Sequence, residues 1–262
     1  MRTLYAIYRK EMNHYFVSPI AWIVVGVFLI LSGWFFNRIL AIVIEQSMEA
    51  MMQGMRYGQA QNFDVPGVTL RAFLGVISSL LLFVTPLLTM GVYAEERKRG
   101  TMELLMTSPV SDTRIVLGKF FSLLTLYAIM LLPSMIYVMY MFANSDPRAP
   151  FKLIFAGYLG AFLLGGALLA IGSFISSLTE NQIVSGFITF AIFLILWVID
   201  WGQQGQGSTK GAILEYVSIV HHYDDFARGV IDTSSLVLYG SFIVLALFLT
   251  VRSLDSMRWR RA

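Results

Sequence analysis

The chain contains no cysteine and only three histidines, His14, His221 and His222. The lack of cysteine excludes thiol catalysis, disulfide bonds and cysteine-ligated metals. None of the five lysines is followed by Ser or Thr, as the phosphate-binding P-loop requires. We therefore expect no catalytic residue, no metal and no cofactor in this chain, and any ATPase activity must reside in a partner subunit.

Charged residues are also scarce. Only 13% of the 262 residues are charged, whereas 57% are hydrophobic and the mean hydropathy is +0.70. These proportions are typical of a polytopic membrane protein. We predict a single all-α membrane domain over residues 1–262, with an amphipathic interfacial helix over 1–16. Six apolar segments have lengths suited to crossing a bilayer, at about 17–44, 72–94, 116–143, 153–178, 183–199 and 236–251.

The cores of these six segments lack ionisable side chains. Proton-driven or Na⁺-driven transport usually needs such a side chain at mid-membrane depth, and an intramembrane zinc protease needs histidines there. The sequence therefore disfavours a stand-alone carrier, a channel or an intramembrane hydrolase.

The distribution of positive charge indicates an orientation. Six spans place both termini on one side, and twelve of the nineteen Lys and Arg residues lie on that side. Because loops rich in Lys and Arg stay in the cytoplasm, we predict a multi-pass membrane protein with both termini cytoplasmic. The positive charge reports this orientation, and we predict no nucleic-acid binding.

The stretch from Glu95 to Phe120 lies between the second and third apolar segments. Five charged residues, Glu95 to Arg99, end the first of these segments, and Gly100 can leave a helix with positive φ. Met102, Leu105 and Met106 then recur at helical spacing, which predicts a short amphipathic helix closed by Ser108 and Pro109. Ser111 has the character of an N-cap for the next helix.

This stretch resembles the first cytoplasmic loop of ABC-2 type transporter permeases. The resemblance is carried by the pattern Glu-Glu-Arg-Lys-x-Gly-Thr-x-Glu-x-Leu at 95–105 and by Ser108-Pro109-Val110. The opening Lys10-Glu11 and the run from Tyr15 to Ala21 resemble the GldF-like branch of that family. The similarity continues into the last third of the chain.

The resemblance implies a six-helix exporter fold of the type V kind, with an N-terminal interfacial helix, a coupling helix within the loop 95–115, and an external helical hairpin before the last span. It implies a separate ABC ATPase in two copies that binds ATP and Mg²⁺, a second copy of this permease or a related one, and lipid contacts. The resemblance also implies a location in the bacterial inner membrane, and a periplasmic GldG-like auxiliary protein is a further candidate partner. The implied ATPase-coupling residues are Glu95, Glu96, Arg97, Lys98, Arg99, Gly100, Thr101, Met102, Glu103, Leu105, Met106 and Pro109, with Glu180 as a second cytoplasmic contact.

Two segments are predicted to face outward. Met48, Met51, Met52 and Met55 fall at helical spacing, which favours an outward continuation of the first helix over a soft-metal site.

The second of these segments lies before the last span. Residues 212–232 resemble the re-entrant segment before the last span in the family, with Phe226, Gly229 and Asp232 at its end. His221, His222, Asp224 and Asp225 could suggest a metal site, but adjacent residues point to different faces of a helix, so we favour solvated polar residues.

The fourth segment carries a stripe of small residues, Gly157, Ala161, Gly165 and Gly172. Such a stripe lets another helix approach closely. A neighbour within the same subunit is favoured over a dimer contact, and both remain open.

Two functions from different classes are consistent with these features. The first is the transmembrane subunit of an ABC exporter, in which a separate ATPase drives movement of a substrate. The alternative is a membrane scaffold in a gliding or secretion assembly, without a conventional transported substrate.

The charge count predicts that a reporter that works only in the cytoplasm is active when it is fused to either terminus. A reporter inserted in the external turn near Asn144 provides the opposite control. A terminal reporter that works only in the periplasm would overturn the predicted orientation.

Overall fold

The computed structural model describes residues 2–57, 63–107, 110–145, 151–202 and 221–259. Within these ranges every regular element is helical. The helices are α1 (Arg2–Val17), α2 (Pro19–Tyr57), α3 (Val65–Thr89), α4 (Ala94–Lys98), α5 (Thr101–Thr107), α6 (Asp112–Leu131), α7 (Met135–Asn144), α8 (Phe151–Leu178), α9 (Gln182–Gly202), α10 (His221–Ala227) and α11 (Thr233–Trp259). The all-α membrane fold predicted from composition is therefore confirmed.

Among the residues that the structure describes, five helical segments are long and apolar enough to cross a membrane. They are Pro19–Tyr57, Val65–Lys98, Asp112–Asn144, Phe151–Leu178 and Thr233–Arg258. Gln182–Val198 is a shorter apolar segment within α9, at the place of the predicted fifth span. Since α9 has 21 residues, it is about 30 Å long at 1.5 Å per residue. The six-span topology stays a prediction.

The helices continue past several predicted boundaries. The expected external loop between Glu45 and Arg71 is largely helical, because α2 runs on to Tyr57 and α3 begins at Val65. The Asp64 side chain caps α3 by accepting a hydrogen bond from the Gly67 backbone N–H at 3.0 Å. The boundaries were placed where charge begins, but a charged side chain ends an apolar run without ending a helix.

The continuation of α2 beyond the predicted end of the first span is confirmed, and its four methionines are exposed. Its outward direction stays a prediction. At its other end, α3 stops at Thr89, five residues before the predicted end of the second span, and a turn leads into α4.

Pro133 interrupts the third membrane segment locally. Leu132–Ser134 form a 3-10 turn between α6 and α7, because proline cannot donate the backbone hydrogen bond that an α-helix would use. The Ser134 hydroxyl donates to the Leu131 carbonyl at 2.7 Å and lies 3.1 Å from the Tyr158 hydroxyl. The kinked segment is thereby held to α8.

The core of the molecule is organised around α8, whose stripe of small residues faces neighbours in the same chain. A Cβ atom at Gly157 would strike Leu74 of α3, one at Gly165 would strike the Tyr127 ring of α6, and one at Gly172 would strike Thr89 of α3. At Ala161 the backbone carbonyl accepts a 2.6 Å hydrogen bond from the Tyr127 hydroxyl. The stripe serves packing within the subunit.

This packing predicts a position-specific effect of adding one methyl group. Gly165→Ala should destabilise the protein by about 1–3 kcal/mol, because the Tyr127 ring must move. Gly75→Ala is the matched control, since apart from the adjacent backbone of its own helix no atom lies within 4 Å of the added Cβ. It should be neutral or slightly stabilising, as alanine favours helix. Thermal unfolding in detergent measures both, and equal shifts would contradict the assigned role of the stripe.

Candidate functional site

The candidate site lies at the end of the bundle where α1, α4 and α5 meet the α8–α9 connection and the end of α11. The helices α4 and α5 are separated by Arg99 and Gly100, and Gly100 has φ +70°. L side chains rarely adopt that conformation, so glycine permits the abrupt turn. The positive φ predicted at Gly100 and the short second helix after it are both present.

A buried ammonium group lies beneath α4. Lys119 of α6 is 1% exposed, and its Nζ donates to Glu11 Oε1 of α1 and to the Val92 backbone carbonyl, each at 3.0 Å. Glu96 Oε2 of α4 lies 3.0 Å from the same nitrogen. The Tyr93 ring centroid is 5.4 Å away, within the range of a cation–π contact. Two oxygen atoms therefore accept hydrogen bonds from the ammonium group, and a third lies at ion-pair distance from it.

A second lysine completes this cluster from the outside. Lys10 Nζ lies 2.9 Å from Glu96 Oε1 and 3.5 Å from Glu11 Oε1. Partial burial acts to lower the pKa of Lys10, but the two carboxylates outweigh it and leave that pKa raised. Lys10 is therefore charged at neutral pH, and two cations alternate with two anions. We call Lys10, Glu11, Glu96 and Lys119 the ion cluster.

The start of α4 is fixed to α8 by one hydroxyl group. Ser176 Oγ accepts hydrogen bonds from the backbone N–H groups of Tyr93 and Ala94, each at 3.2 Å, and donates to the Met90 carbonyl at 3.1 Å. The Tyr93 N-cap has no cap hydrogen bond from a side chain of its own. Ser176 satisfies these backbone donors from a neighbouring helix, which helix ends require.

Arg97 joins α4 to the α8–α9 connection. Its guanidinium donates to the Ser177 carbonyl at 2.9 Å and to Glu180 Oε1 at 3.0 Å. Glu180, predicted as a separate second contact, is thus brought together with the stretch that begins at Glu95. Glu95 itself pairs with Arg99 one helical turn later, at 2.6 Å.

The two terminal helices are fastened to α6. Asp112 Oδ1 accepts a 2.9 Å hydrogen bond from Arg258 of α11. On the other side, Arg114 donates to the Thr3 hydroxyl at 3.3 Å, and the Tyr8 hydroxyl donates to Thr125 at 3.2 Å. The interfacial helix predicted for 1–16 therefore packs along α6 and does not lie apart from the bundle.

The orientation of α5 corrects one part of the sequence interpretation. Met102, predicted on a partner-facing apolar surface, is 3% exposed and belongs to the core, and the partly buried Leu105 packs against the same core. Thr101, Glu103 and Thr107 are exposed instead. The amphipathic face points inward because the chain itself offers the nearest apolar surface. The Met106 side chain and Pro109 lie outside the described residues.

Two of the residues expected in the external segment serve packing and turn geometry. Phe226 is buried, and its Cβ would lie 2.5 Å from a Cβ added at Gly160 of α8. Gly229 has φ +83° against Leu153. Residues 212–220 of the predicted re-entrant segment lie outside the described residues.

Asp232, the third expected residue, caps α11, accepting a hydrogen bond from the Ser234 backbone N–H at 3.2 Å. Hydrogen bonds from Ser234 lower the pKa of Asp232.

Sequence reasoning missed the partners of α4. The sequence indicates Glu11 only as part of the amphipathic helix and of the family resemblance, and Lys119 only as one of the positive charges on the side of the termini. It indicates Ser176 only as the end of the small-residue stripe and the start of the following loop. One signal was available: Lys119 stands between Gly118 and Phe120 at the start of an apolar helix, where a buried charge needs a partner. The identity of that partner, 108 residues earlier, is not encoded by any local pattern.

Comparison with known families agrees with this architecture. The chain matches the family described as "ABC-2 family transporter protein" over residues 5–253, and it belongs to that family. It is thus a multi-pass membrane component of an ABC transporter and not itself the ATPase, and the family implies an ABC ATPase as partner. A search of curated proteins finds no match to the chain.

The ion cluster predicts a large effect of neutralising its centre. Lys119→Met leaves Glu11 and Glu96 without their buried cation and should cost about 3–5 kcal/mol of stability. Lys98→Met, on the exposed side of α4, should change little. Thermal unfolding in detergent compares the two variants.

The triple variant Lys119→Met, Glu11→Gln, Glu96→Gln tests whether charge is the cause. It should recover a large part of the loss, because no unpaired buried ion remains. Similar small shifts for Lys119→Met and Lys98→Met would show that the cluster is not holding these helices together.

Proposed function

We propose that this chain is the transmembrane permease subunit of an ABC exporter in the inner membrane, and that α4 and α5 transmit the motion of a separate ATPase to the membrane helices. The observation that carries the proposal is the fixation of α4. It is tied to α1 and α6 through the ion cluster, to α8 through Ser176, and to the α8–α9 connection through Arg97.

These contacts make α4 a junction of the bundle. A force applied to α4 reaches α1 through the Glu96–Lys10 pair, α6 through Lys119 and α8 through Ser176, since the paired atoms lie within 3.2 Å of each other. Packed helices respond to such a force as rigid bodies. ATP-driven closure of two ATPase copies would therefore change the packing between membrane helices.

The partner-facing surface is polar in this proposal. The exposed edge of α4 and α5 carries Lys98, Arg99, Thr101 and Glu103, with both signs of charge. A polar rim of this kind orients a docking partner and sets its register. ATP and Mg²⁺ belong to the ATPase.

The finer assignments have two sources. The distribution of Lys and Arg supports cytoplasmic termini. The family resemblance supports the GldF-like branch, outward transport, a GldG-like auxiliary protein and a dimer of permeases. The apolar side chains exposed on α2 and α9, among them Trp34, Ile23, Phe187 and Ile195, support a membrane-embedded surface that lipids or a second permease would cover.

Reversing the charge of Glu103 tests the docking surface. Glu103→Arg should reduce recovery of the ATPase with the tagged chain by about tenfold or more, because a like-charge contact replaces an attractive one. Quantitative mass spectrometry of the complex from its native host, with an ATPase assay of the eluate, measures this.

Glu49→Arg is the matched control, since it makes the same change on the exposed far end of α2. It should leave ATPase recovery unchanged. If no ATPase accompanies the unaltered chain, the exporter proposal fails and the scaffold alternative takes its place. If the ATPase is retained with Glu103→Arg, the docking surface lies elsewhere.

A further inference from the structure

A cavity of about 560 Å³ lies between α1, the start of α2 and the end of α3, directly beside the ion cluster. This volume is in the range of small-molecule binding sites. The cavity reaches from Thr101 at the start of α5 to Leu126 of α6, and Gln182 at the start of α9 also lines it. It shares Arg99 and Thr101 with the exposed edge of α4 and α5, whereas Lys98 and Glu103 of that edge do not line it.

The first wall of the cavity changes character along the chain. Lys10 and His14 line it on α1, Ser18 lies at the junction of the two helices, and Ala21 and Val24 line it on α2. The order is therefore charged, polar and then apolar. The apolar end continues into the membrane-crossing part of α2.

The second wall follows the same order in the opposite chain direction. Leu87, Gly91, Glu95 and Arg99 line it in chain order, from the end of α3 through the turn that follows to the C-cap of α4. Leu87 is apolar and exposed, and Arg99 is charged and exposed. Both walls thus match a phospholipid, with its headgroup beside α4 and its acyl chains beside α2 and α3.

The charges of the cavity favour a particular headgroup. Three cations, Lys10, Arg99 and Lys119, face three anions, Glu11, Glu95 and Glu96, and they form ion pairs with one another. A purely anionic headgroup would compete with carboxylates that already hold these cations. A headgroup with both a phosphate and an ammonium can insert between paired charges and provide each with a partner.

We infer that this cavity binds one phospholipid with a zwitterionic, hydrogen-bond-donating headgroup, as in phosphatidylethanolamine. Its phosphate is placed between Lys10 and Arg99, and its ammonium is placed against Glu95. A quaternary ammonium, as in phosphatidylcholine, has no N–H to donate to the carboxylate. The inference does not depend on ATPase coupling, since it concerns binding to the permease alone.

Native mass spectrometry of the full chain, with phosphatidylethanolamine, phosphatidylglycerol and phosphatidylcholine of matched acyl chains added in equal amounts, tests the site. One phosphatidylethanolamine should be retained in preference to the other two. Val24→Trp, which fills the apolar end, should abolish this retention. Val27→Trp, on the exposed side of the same helix, should preserve it.

A second pair of variants tests headgroup selection without altering the packing. Glu95→Gln should reduce the preference for phosphatidylethanolamine over phosphatidylcholine by about tenfold, since a charge-assisted hydrogen bond is lost. Glu103→Gln, which lies outside the cavity, should keep the preference. Equal retention of all three lipids, a preference for phosphatidylglycerol, or an unchanged preference in Glu95→Gln would each overturn the inference. None of these outcomes affects the ATPase-docking experiment.

Discussion

At the end of the bundle that holds both termini, the relative positions of the helices depend on pairing one buried ammonium group. Lys119 is almost fully enclosed, and an isolated charge in such a place would cost several kcal/mol. Its oxygen partners come from α1, from the turn after α3 and from α4. The position of each of these elements is therefore constrained by the position of the others.

In the membrane-spanning part, the positions of the helices depend on close packing and not on charge pairing. Gly157, Gly165 and Gly172 let α3 and α6 lie directly against α8, and Ser176 continues that line of α8 to the backbone of α4. Along most of its length, α8 packs closely because its glycines have no side chain. At its end, it makes hydrogen bonds through a hydroxyl group. The ATPase partner of an ABC transporter would act on a bundle in which α3, α4 and α6 are already held against α8.

The sequence predicted the parts of this design that depend on local patterns. Hydropathy identified the apolar helices, Gly100 indicated the turn between α4 and α5, and the small residues of α8 indicated close packing. It misjudged Met102, because helical periodicity identifies an apolar face without saying whether the same chain covers it. It missed the pairing of Glu11 with Lys119, because a contact between distant residues follows from tertiary packing alone.

The contacts that hold α4 are hydrogen bonds and ion pairs, and this affects how force could pass from α4 to the other helices. Apolar contacts tolerate sliding, since dispersion and the hydrophobic effect have little directionality. Charge-assisted hydrogen bonds are short and directional, and breaking one inside the protein leaves an unpaired ion. A displacement of α4 that kept the ion cluster intact would have to carry Glu11 and Lys119 with it. The cluster therefore favours concerted movement of α1, α4 and α6 over independent movement of any one of them.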